Sequence, residues 1–107
     1  MARIEIRQTD DEGAELLVEG EVDAELAAEL RDRIRDLEAE RVVLDFTHAS
    51  ALRDVVCASL VELLEESEGP VFLRGLRAHQ LRVLHYLHVS VSDEGLLRPE
   101  EPAALLP

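Results

Sequence analysis

Residues 42–64 read VVLDFTHASALRDVVCASLVELL. An apolar run stops at Asp45, a short polar stretch follows, and Arg53-Asp54 opens a segment whose apolar residues Val56, Leu60, Leu63 and Leu64 fall on one helical face. The run from Arg41 to Phe46 is the most continuous apolar stretch in the chain, the pattern of a central strand buried on both faces. A buried strand handed to a helix is half of a βαβ unit, so this stretch predicts a parallel sheet.

Working outward, Arg3-Ile4-Glu5-Ile6-Arg7 alternates with period two, as a strand with one wet face does. Asp10-Asp11-Glu12-Gly13 reads as a turn and Ala14 to Glu19 as a second strand, which together make a hairpin. Gly20-Glu21-Val22-Asp23 leads into a helix with Val22, Leu26, Leu30, Ile34 and Leu37 at helical spacing, and Asp23 is placed to cap it. After the central strand, a helix runs from Asp54 to Glu66 and is ended by Glu68-Gly69-Pro70. Val71-Phe72-Leu73 is a short strand. Leu76 to Leu87 is a third helix, with Leu76, Leu84 and Leu87 inward and Gln80 and Arg82 toward water, and Val89-Ser90-Val91 is a candidate last strand. The order is β-β-α-β-α-β-α-(β): an α/β domain over residues 1–92, with a mixed, mainly parallel sheet of four to five strands and three to four helices. LLRPEEPAALLP, within residues 93–107, has three prolines and reads as a tail with one helical turn at most.

Composition narrows the function. The 107 residues suit one domain, and 47% apolar with 33% charged residues describes a folded, soluble chain. Phe46, Phe72 and Tyr86 are the only aromatic residues, so a stacking platform for bases or sugars is excluded and the core is aliphatic. A formal charge of -13 repels a phosphate backbone or an anionic membrane. The arginines are mostly interleaved with acids; Arg74 to Arg82, with three Arg, one His and no acid, is the exception. The single Cys57 makes an internal disulfide impossible and suits a reducing compartment. The N-terminus MARIEIRQTDDEG has no apolar signal core, and no apolar run approaches a bilayer-spanning length, so the expected location is the cytoplasm.

Three stretches carry a family resemblance. LLVEGEVD resembles the L-x-G-x-x-D entry of STAS domains, the bacterial anti-sigma-factor antagonists and their relatives. VVLDFTHASALRD resembles that family's strand ending in Asp, followed by a loop to an Asp-Ser-(Ser/Thr)-Gly motif. PVFLRGLRAHQLRVLHYLHV resembles its closing strand, glycine and amphipathic helix, and the likeness spans residues 3–92. The resemblance implies a domain that works by docking on proteins. In switching members the motif's Ser, at the start of the second helix, is phosphorylated by a kinase that is also an anti-sigma factor, and the added charge releases the partner. A helix N-terminus tolerates that charge well.

In this chain the motif is missing. Counting from Asp45, Arg53 replaces the motif's Asp, Asp54 the phosphorylated Ser, Val55 the next hydroxyl residue and Val56 the Gly. With one insertion in the loop, Asp54 matches the motif's Asp and Val55 its Ser. Either way no hydroxyl stands at the switch position, and on the first count a carboxylate occupies it permanently. The competing reading makes Asp54 an ordinary helix cap worth about 1 kcal/mol. The expected partner surface is Thr47, Ser50, Arg53, Asp54, Val55, Val56 and Ser59, supported structurally by Gly20, Asp23 and Asp45. Thr47, Ser50 and Ser59 are the hydroxyls near it. The resemblance implies a protein partner: an anti-sigma factor that is also a serine kinase, another STAS protein, or a second copy of the chain. The alternative is an accessory STAS subunit that braces a stress-signalling assembly or a lipid-transport ATPase.

No enzyme, cofactor or metal is expected. Asp45 at a strand end is placed as a catalytic acid would be, but the stronger reading is that it bonds loop amides and fixes the approach to Asp54. Cys57, in the first turn of a helix, is either an activated thiol or, more commonly, a buried structural one. His85 and His88 are three apart, while His79 points elsewhere, and no Cys or acid joins them at ligand spacing.

Overall fold

The computed structural model describes residues 2–9, 13–67 and 69–100. The turn expected at residues 10–12 and Glu68 at the end of the second helix lie outside them. Strand β1 (Arg3–Gln8) pairs antiparallel with β2 (Gly13–Val22) in the expected hairpin, Ile4 opposite Val18 and Ile6 opposite Leu16. Helix α1 (Ala24–Leu37) crosses to β3 (Arg41–Asp45), which lies parallel to β2. A short β4 (Ala49–Leu52) precedes α2 (Asp54–Glu66), β5 (Val71–Arg74) pairs parallel with β3, and α3 (Ala78–Tyr86) follows. The main sheet has five strands in the order β1-β2-β3-β5, with β4 also on β2. The mixed, mainly parallel architecture read from the sequence is the one observed.

β3 and β4 lie in line along the same side of β2. β3 pairs with Gly13 to Leu17, and β4 with Gly20 to Val22. Between them the chain turns tightly, Ala49 N–H donating to the Phe46 carbonyl at 3.0 Å. The register shifts by one residue between Gly20 and Glu21, so Ser50 is the extra, bulged residue on β4. Gly20 sits at φ 87°, a left-handed conformation that residues with a Cβ adopt at a cost, which is why glycine is needed at the bulge.

One face of the sheet carries the core. Ala14, Leu16, Val18, Val22, Val42, Leu44, Val71 and Leu73 are buried against Leu26, Leu30 and Ile34 of α1, Val56, Cys57, Leu60 and Leu63 of α2, and Leu84 of α3. The opposite face is open, so β3 is not buried on both faces as expected: Val43 and Asp45 are half-buried. The register gives the reason. Val43 lies between Glu15 and Phe72, and Arg3, Glu5 and Arg7 of β1 share that face, so no apolar layer can cover it.

The end of the chain also departs from the reading. β6 (Val89–Val91) joins β7 (Leu97–Pro99) in a separate antiparallel pair. Leu97 is buried, and the Leu73 amide donates to the Gly95 carbonyl at 2.7 Å, so residues up to 100 pack on the domain rather than leaving it as a tail from residue 93. Pro99 is tolerated because an edge strand needs no N–H there. Residues 101–107, where a helical turn was allowed, lie outside the described residues. Helix α3 begins at Ala78 and ends at Tyr86, leaving Leu87 past its end and 39% exposed rather than inward. Among the described residues no helix is long and apolar enough to cross a membrane.

Candidate functional site

The C-terminal ends of β2, β4 and β5 lead into the three helices, so the helix N-termini gather at one edge of the sheet, where α/β folds place their sites. α1 is capped as expected: Asp23 accepts from the Leu26 amide at 2.9 Å. α2 begins where the Arg53 amide donates to the Val22 carbonyl at 3.2 Å, so its start is tied to the same strand that launches α1. α3 is tied in by Gln80. Its Oε1 accepts from the Arg77 amide at 3.0 Å, and its Nε2 donates to the Leu52 carbonyl at 3.4 Å. Gln80 is therefore a clasp between α3 and β4 and not a water-facing residue.

Asp54 is the first residue of α2, and Arg53 holds the cap position without a side-chain hydrogen bond. The cap reading of Asp54 is thus corrected: its carboxylate gains from the helix dipole, but no side-chain bond closes the helix end. Instead Asp54 Oδ1 lies 2.8 Å from His79 Nε2 of α3. Arg53 turns the other way, Nε and Nη2 donating to Glu21 Oε1 at 3.2 and 3.1 Å. The pair questioned at the strand-to-helix handover is thus split, Arg53 bracing β2 and Asp54 bracing α3. Val55 beside them is 50% exposed.

The remaining candidates separate by burial. Thr47 and Ser50 are exposed on the rim before α2. Ser59 is half-buried, lining a small void between α1 and α2 with Ala27 and Leu30. Val56 is fully buried in the core and cannot belong to a partner surface. Its one-residue offset from Val55 turns it a quarter-turn inward, onto the stripe with Leu60 and Leu63. The structure brings Arg53, Asp54 and Val55 together and adds Glu21, His79 and Gln80, which the sequence reading did not assign.

Asp45 takes the loop-bonding role. Its Oδ1 accepts from the Thr47 amide at 2.9 Å. Burial alone would raise its carboxyl, but hydrogen bonds from Thr47 and the charges of Arg74 and His48 outweigh that and hold it below its ordinary value. Cys57 is the buried thiol, not the activated one: burial, helped by the Asp54 charge, pushes it up to about 11. His85 pairs with Glu100 at 2.8 Å and His88 lies past the helix at φ 63°, so the two do not share a helical face. Among the described residues no three His, Cys, Asp or Glu side chains are grouped to hold a metal ion. The arrangement offers a mixed-charge surface with an exposed apolar residue at its centre, suited to binding a protein.

No family model and no curated protein matches the sequence. Among the solved structures that share the fold are two that each align over most of this chain. One is the anti-sigma factor antagonist SpoIIAA in its unphosphorylated form, 13% identical over 78% of this chain and 83% of that one, with a TM-score of 0.61. The other is RsbS of Moorella thermoacetica in a serine-to-glutamate variant, 19% identical over 87% of this chain and 91% of that one, also with a TM-score of 0.61. At these identities the likeness is one of fold, and the fold is that of STAS domains.

Proposed function

We propose that this chain is a non-enzymatic protein-interaction module of bacterial signalling, acting in the cytoplasm in the manner of an anti-sigma factor antagonist, with a fixed charge at Asp54 where a switchable serine would stand. The observation that carries the reading is the exposed Asp54 carboxylate on the first residue of α2, in a fold shared with an antagonist described in its unphosphorylated form. The docking surface is Thr47, Ser50, Arg53, Asp54 and Val55, with His79 at its border. A negative charge at this helix start is stabilised by the free amides and the dipole, so the domain can carry it without strain.

Immobilised wild type, Val55→Glu and Arg33→Glu test the surface. The reading expects one identified protein to be retained by wild type and by Arg33→Glu and lost by Val55→Glu. Retention by all three removes Val55 and its neighbours as the docking surface.

A further inference from the structure

Between Val71 and Ser92 the sequence contains no Asp or Glu, although the whole chain has 24 acids. This stretch holds α3, and the structure shows what its charges do. Arg74 pairs with Glu15 across the sheet, at 3.6 Å. Arg77 and Arg82 make no ion pair among the described residues, and both are exposed. Most other described arginines are answered by an acid: Arg3 and Arg7 by Glu5, Arg31 by Glu62 and Glu66, Arg33 by Glu29, Arg53 by Glu21. Among the described residues the exposed arginines without an ion pair are thus Arg77 and Arg82 at α3 and Arg98 on β7, and α3 is where two of them stand together.

The geometry of the helix groups them with apolar residues. Arg77, Leu81 and His85 succeed one another at i, i+4 and i+8, and Ala78, Arg82 and Tyr86 form the adjacent column. Leu81 is 41% exposed and Tyr86 79% exposed, although α3 buries Leu84 fully on its other side. We propose that this outer face of α3 is a docking surface for an acidic amphipathic helix of a partner protein, its carboxylates meeting Arg77 and Arg82 and its apolar side chains meeting Leu81 and Tyr86.

A protein segment fits better than nucleic acid. A phosphate backbone would run past the short helix onto the acids of the rest of the surface, and a net charge of -13 opposes it. A peptide helix stays within the local field, because charges beyond roughly 8 Å are screened at physiological salt. The proposal does not rest on the Asp54 reading, since Arg77 and Arg82 make no ion pair with α2.

The test uses a fluorescent peptide with Glu and Leu at helical spacing, the same peptide with Lys for every Glu, and a single-stranded DNA of similar length, followed by anisotropy on the full chain. Wild type should bind the Glu peptide, and Arg77→Glu/Arg82→Glu should weaken it about tenfold, the loss of two charge contacts with reversal. Arg33→Glu should leave binding within about twofold. Arg77→Gln/Arg82→Gln, which removes charge without reversing it, serves should the reversal fail to fold, with a weakening of about threefold expected. Equal binding of the Lys peptide, tighter binding of DNA, or an equal loss in Arg33→Glu overturns the proposal. So does concentration-dependent self-association of wild type that the double variant abolishes, which would make a second copy the occupant.

Discussion

Val55 and Val56 are adjacent in sequence and opposite in role, and the contrast gives a sharp prediction. Val56 is fully buried and Val55 is 50% exposed. Truncating Val56 to Ala removes two buried carbons, about 1.6 kcal/mol at about 0.8 kcal/mol each. The void left behind adds about 1 kcal/mol, and the better helix propensity of Ala returns about 0.6 kcal/mol. Val56→Ala should therefore lose about 2 kcal/mol, a fall in Tm of roughly 10 °C for a domain of this size. Val55→Ala gives up little buried surface and gains the same propensity, so its stability should stay within about 0.5 kcal/mol of wild type. Urea unfolding followed by far-UV circular dichroism measures both, provided the slope is unchanged. Should Val56→Ala prove neutral while Val55→Ala costs more than 1 kcal/mol (on the order of one Tm step of 5 °C), the register of α2 and the surface built on it are wrong.

Asp45→Asn should lower stability at neutral pH and flatten the fall of stability on the acid side. A carboxyl held low in the folded state contributes stability above its ordinary, unfolded value of 3.8, and that contribution is lost as pH falls through the folded value. The stability gap between wild type and Asp45→Asn should accordingly be present at neutral pH and close under acid; a gap unchanged across that range contradicts the Thr47 and Arg74 interactions. Cys57 should react with a thiol dye at neutral pH only when the protein is unfolded, because it is buried and its thiol is raised to about 11; rapid labelling of the native chain contradicts this. Gly75→Ala should cost at least about 2 kcal/mol, since Gly75 has φ +81° and an added Cβ would lie 2.4 Å from the Thr47 backbone nitrogen; a melting temperature equal to wild type refutes that packing.

Much of this fold is written locally. The stripe Val56, Leu60, Leu63 and Leu64 sets α2, and Asp23 caps α1 as its position implies. What escaped the sequence reading is short, proline-bearing or distant. β4 is only Ala49–Leu52, with no β-branched residue to mark it, and it exists because Gly20 to Val22 of β2 extend past β3 and need a partner. β7 contains Pro99 and looked like a tail, yet it packs on β6 and β5 and Leu97 is buried in the core. The contact between Asp54 and His79 joins residues 25 apart, and only the packing of α3 beside α2 creates it. Val56 is the instructive case. The helical stripe already turned it inward, while the motif correspondence turned it outward, and burial sided with the stripe.

The central claim is that Asp54 stands as a fixed charge at a docking surface. The most direct measurement is a paired capture from native lysate with wild type and Asp54→Ser as baits, identified by mass spectrometry with phosphorylation mapped on the variant. The account predicts that Asp54→Ser alone gains an ATP-binding anti-sigma kinase and becomes phosphorylated at position 54. Capture of the same non-kinase protein by both baits, in fixed stoichiometry and without phosphorylation, would contradict it and make the domain an accessory subunit.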